Sequence, residues 1–192
     1  MGTSTNQPSP NIPTWRLANA VLGRPDWTVE RQSREIWRAA TSDREGQLYS
    51  DLANPLLVEA CRIAEGGQDP IRAGQYFHQR LNEDHAAGLA LEMAKRALVR
   101  AAATQSGATG FASELFAEAA SYYVSRDLPS FVGQSGRIAT TTEAVHLKDQ
   151  IRMVARETAL KTGPVKADID SWQTYVSRVI SALRGGGRTR RK

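Results

Sequence analysis

Apolar and polar residues alternate with a period near 3.6 residues over most of this chain, the spacing that buries one stripe of a helix. The pattern is clearest from Asp84 to Thr104, where Ala86, Leu89, Ala90, Met93, Ala94, Ala97, Leu98 and Ala101 recur at i, i+3, i+4 and i+7. It predicts one long helix, capped by Asp84. Lys95, Arg96 and Arg100 lie toward its C-terminal end, where cations suit the helix dipole. The apolar face is mostly alanine, so neighbours can approach closely, and this helix is expected to be the centre of an all-α core.

The same reading extends along the chain. Thr14 is expected to cap a short helix carrying Trp15, Ala18 and Leu22, and Asp26 or Thr28 one that runs to about Thr41 with Val29, Ile36, Trp37 and Ala40 inside. Residues 42–53 read as a polar connector with room for a helical turn. Asn54-Pro55 and Asp69-Pro70 each read as N-cap and first helical residue. After a turn at Ser106–Gly110, a helix is predicted over Phe111–Arg126. A loop follows at 127–140, then a helix capped by Thr141 or Thr142 that reaches Lys161. Asp168 or Asp170 starts the last helix, which carries Trp172, Tyr175, Val176, Val179, Ile180 and Leu183. No stretch alternates as a strand would. The expected architecture is all-α: a single-domain bundle of about seven helices at 14–183, with a flexible arm at 1–13 and a basic Gly/Arg tail at 184–192.

Charge sharpens this picture once it is located. The net charge is +5, from 25 Lys and Arg against 20 Asp and Glu. Arg184, Arg188, Arg190, Arg191 and Lys192 account for the whole excess, so residues 1–183 are neutral in sum. Glycines at 185–187 space these cations, and such a cluster binds nucleic-acid phosphates by releasing counterions. Two helix faces carry further cation rows. One is Arg31, Arg34 and Arg38, opposite the apolar side of its helix; the other is Lys148, Arg152 and Arg156, well away from the apolar row of its own. Arg137, in the 127–140 loop, is a further candidate contact. The expected partner is therefore nucleic acid, DNA or RNA, contacted through its backbone and largely without regard to sequence, because no helix-turn-helix pattern for base readout stands out.

The second expectation is a protein partner or self-association. Trp15, Trp27 and Trp37 crowd the first fifth of the chain. They either dock the N-terminal helices onto the core or form an interface patch. The chain would then be a scaffold subunit whose tail only keeps it soluble.

Catalytic chemistry finds little support. The one cysteine, Cys61, lies in an apolar run, and His78, His85 and His146 form no metal-ligand pattern, so neither metal nor cofactor is expected. Arg72-Ala-Gly-Gln-Tyr-Phe-His78 and Arg80-Leu-Asn-Glu-Asp-His85 resemble the Arg-to-His motif of HEPN-type ribonucleases, also all-α. That resemblance implies an arginine on the phosphate and a histidine moving a proton. Ala73 and Leu81 stand where the family's motif carries a polar residue, and in so arginine-rich a chain such spacings arise by chance. The carboxylates are scattered, with no helical pair placed for acid–base work. The protein is expected to be a non-enzyme. With no apolar run near ~18 residues and an uncharged N-terminus unlike a signal peptide, it is expected in the cytoplasm, away from membranes.

Overall fold

The computed structural model describes residues 24, 26–41, 47–127, 132–133 and 138–185. The fold is all-α, with eight helices among the described residues. Most begin where a side chain takes up a free backbone N–H, a contact that stabilises a helix by about 1 kcal/mol. Thr28 Oγ1 accepts the Arg31 N–H at 3.2 Å and starts α1 (Val29–Ala40). Asn54 Oδ1 accepts the Leu56 N–H at 2.9 Å at the head of α3 (Leu56–Glu65). Asp69 accepts from Ile71 and Arg72, with Pro70 as the first residue of α4 (Pro70–Glu83). α5 (Leu89–Ala103) and α6 (Gly107–Asp127) follow. Asp168 starts α8 (Ile169–Leu183) by accepting the Ser171 N–H at 2.8 Å.

Some boundaries differ from the sequence reading. The connector at 42–53 contains a helix, α2 (Gln47–Leu52), because Leu48 and Leu52 stand one turn apart and are both buried. Thr140, not Thr141 or Thr142, caps α7 (Thr141–Lys161), with Glu143 Oε2 accepting the Ala139 N–H in return. Asp84 ends α4 instead of starting the next helix, and α5 begins only after Gly88. The expected turn at 106–110 lies mostly inside α6: Gly107 opens that helix, and the Ser106 side chain occupies the space where Gly110 would carry a β-carbon.

The centre of the bundle is α6, not α5. Every residue from Phe111 to Ala120 is buried. α6 packs along α5 and α7 and also touches α3 and α1, while α8 rests on α1, α2 and α7. One hydrophobic cluster runs from Ile36 to Leu183. An aromatic series crosses it: Trp37 meets Phe116 at 5.9 Å between centroids, Phe116 meets Tyr175 at 6.4 Å, and Tyr175 stacks on Trp172 at 6.1 Å. Two of its polar tips are satisfied inside, Trp172 Nε1 donating to the Leu52 carbonyl and Tyr175 Oη to the Ala159 carbonyl, both at 2.8 Å, while the buried Trp37 Nε1 has no hydrogen-bond partner among the described residues. α5 keeps its predicted alanine face inward, but Leu89 at its start is 36% exposed. None of the described helices is long and apolar enough to cross a membrane.

Candidate functional site

The three arginines of α1 line its outer face, and all are exposed. Arg31 lays its guanidinium over the Trp27 ring, 4.0 Å from the centroid, and Arg24 approaches the same ring at 5.2 Å. Arg38 pairs with Glu35 at 2.6 Å. Its Nε also donates to the carbonyl oxygen of Arg184 at 3.0 Å, across 146 residues of sequence. That carbonyl belongs to the residue that caps the C-terminus of α8, where the helix dipole is negative and a cation is favoured. One residue on, Gly185 has a φ of +78°, and a β-carbon there would stand 2.7 Å from Arg34 Cδ and 2.8 Å from Arg34 Nε. The end of α8 and the arginine row of α1 thus share one face. The basic stretch joins the fold at that point, Arg188 following Gly185 by three residues. Arg188, Arg190, Arg191 and Lys192 themselves lie outside the described residues.

The second row is differently placed. Glu114 and Glu118 stand one turn apart on α6, their side chains only 9% and 8% exposed. Arg152 Nη2 reaches both, at 3.0 Å to Glu114 Oε2 and 3.5 Å to Glu118 Oε1. Arg156 Nε holds the other Glu114 oxygen at 2.9 Å, and Arg100 of α5 pairs with Glu118. Burial, and after it the charge of Arg152, lower the Arg100 pKa from the ordinary arginine value. Arg152 and Arg156 are therefore engaged with α6 as counter-ions, Arg152 half-buried and Arg156 exposed at the edge of the cluster. Of that row, Lys148 alone makes no ion pair among the described residues. The cluster holds α5, α6 and α7 together. It also corrects the reading of the acids as scattered. The sequence signal was there in Phe-Ala-Ser-Glu-Leu-Phe-Ala-Glu-Ala-Ala, two acids at i and i+4 in an otherwise almost wholly apolar segment, facing a cation row of the same period.

The tryptophans separate. Trp37 is 1% exposed and belongs to the core, so it presents nothing to a partner: its side of α1 faces Phe116. Trp27 is half-buried against the core under the two guanidiniums. Trp15 and Arg137 lie outside the described residues. Near Arg137, Val132 and Ile138 form an isolated bridge, with the Gly133 N–H donating to the Ile138 carbonyl at 2.9 Å.

The residues of the nuclease-like spacing are held in local contacts. Arg72 pairs with Asp69 and Arg80 with Glu83, each within or beside its own helix, and both side chains are at least 40% exposed. His78 is exposed on α4 beside Asn82, and His85 lies in the link to α5 with a φ of +47°. Cys61 is fully buried, and burial raises its thiol pKa well above the ordinary range. No three His, Cys, Asp or Glu side chains gather as a metal site among the described residues. No protein-family model matches the chain, and no curated protein or solved structure is significantly similar to it.

Proposed function

We propose that the protein is a non-catalytic helical subunit that contacts nucleic-acid backbone largely independently of sequence, within a larger assembly. The observation that supports this most is the joint between α1 and α8. Arg38 on the Arg184 carbonyl, and Arg34 against Gly185, bring one cation row to the point from which the other cationic stretch continues. The contacts would come from Arg31, Arg34, Arg38 and Arg184, extended by Arg188, Arg190, Arg191 and Lys192. Arginine forks suit phosphate oxygens, and such contacts set position and not base identity.

Fluorescence anisotropy on labelled DNA and RNA tests this, comparing the whole chain with residues 1–183 and with Arg31→Ala/Arg34→Ala across a salt series. Binding is expected at low salt, to fall steeply as salt rises, with the slope reduced by about one for each cation removed. Absence of binding to any nucleic acid at low salt would overturn the reading. So would an affinity indifferent to salt, which marks an apolar protein interface.

A further inference from the structure

The face shared by α1 and α8 has a chemistry that selects among nucleic acids. From Ser171 to Gly185 the chain contains no carboxylate. Thr174, Arg178 and Ser181 fall at i, i+4 and i+7 of α8, Gly185 follows at i+11 two residues past its end, and all four are exposed. That stripe is about 16 Å long and ends where Arg34 lies against Gly185. Arg178 forms no ion pair among the described residues. Among the described residues, the face offers nothing for a base to stack on. Among the large apolar side chains exposed at the surface, only Ile169 comes from α1 or α8, and it stands at the first turn of α8, at the other end from Arg34. Of the two described rings beside the row in sequence, Trp27 is already covered by Arg31 and Trp37 is buried in the core. Single strands are held by aromatic platforms beside a cationic groove, and protein partners most often around apolar or aromatic anchors; among the described residues this face has neither. It has charged forks and hydroxyls, the groups that contact the phosphates of a regular backbone.

We propose that the ligand of this face is a nucleic-acid double helix, held through its phosphates by Arg34, Arg178 and Arg184 with the hydroxyls of Thr174 and Ser181 along the same line. The inference rests on the phosphate-contact reading above and adds α8 to it. Along a duplex each strand carries a charge about every 3.4 Å of axis, so the stripe spans several phosphates of one strand.

The test uses the whole chain and labelled ligands: DNA and RNA duplexes about 20 base pairs long and an oligo-dT of the same length, at about 50 mM salt. Polyglutamate serves as unlabelled competitor. At least one duplex is expected to bind about tenfold more tightly than the single strand, and polyglutamate to compete poorly at equal charge. Arg178→Ala should weaken duplex binding about three- to tenfold and lower the salt slope by about one. Ser181→Glu, which sets a like charge beside the phosphates, should weaken it further. Both positions are exposed, so thermal melts followed by circular dichroism should match the parent. Equal or tighter binding of oligo-dT overturns the inference, as does equal competition by polyglutamate. The α8 variants binding like the parent while Arg31→Ala/Arg34→Ala still weakens binding would overturn it too, yet leave the phosphate reading standing. No binding to any ligand overturns both.

Discussion

Arg152 is the side chain on which the interior charges depend most. It is the one guanidinium within 3.5 Å of both Glu114 and Glu118, and it is the least exposed of their three partners. Truncating one partner of a buried pair leaves the other charge without compensation, and that penalty exceeds the net worth of the pair itself. Each carboxylate keeps an arginine after Arg152 is lost, Arg156 and, at 3.9 Å, Arg100 at Glu114, and Arg100 at Glu118, which moderates the loss. Arg152→Met is therefore expected to destabilise the fold by about 2 kcal/mol, and Arg156→Ala, whose side chain is 48% exposed, by about 1 kcal/mol or less. Urea unfolding followed by circular dichroism reads the difference. Equal effects from the two variants would mean that Arg152 does not bridge the acids.

Among the elements, the capped starts of α3, α4 and α8 were legible, because caps act over three or four residues, whereas the starts of α5, α6 and α7 were misplaced. Asp69-Pro70, Asn54 and Asp168 do what their local chemistry implies. The rank of the helices was not legible. α5 shows a clean stripe because it is buried on one side. α6 is buried nearly all round over Phe111–Ala120, and a helix apolar on every side has little periodicity to detect. The acids of α6 were misread for a related reason: pattern shows that Glu114 and Glu118 share a face, while only packing shows that the face meets α7. The α1–α8 joint lay beyond any local signal, since Arg38 and Arg184 are 146 residues apart. Gly185 gives that joint a specific test. Its φ of +78° is strained for alanine by about 1 kcal/mol, and a methyl group would also press on Arg34. Gly185→Ala should lower the urea midpoint, and part of the loss should disappear in an Arg34→Ala background. A double-mutant cycle with no coupling would mean that Arg34 moves off position 185 at no cost, leaving only the backbone strain.

At the scale of the whole molecule, the balance of acids and bases over residues 1–183 leaves the fold without a net charge of its own, and the surplus is concentrated in a few residues after α8. Under the proposed function, the anchoring of the Arg184 carbonyl by Arg38 makes the protein a two-headed ligand with a short leash. Once the helical face is engaged, the second cation cluster meets the same backbone at an effective concentration set by the residues between Gly185 and Arg188. Lengthening that leash by about ten Gly and Ser residues should weaken duplex binding by up to about tenfold, as effective concentration falls with the −3/2 power of length. Anisotropy titrations of the lengthened chains check this. An affinity that ignores the insertion would show that the two clusters bind independently, and the avidity built into the end of α8 would then have no part in function.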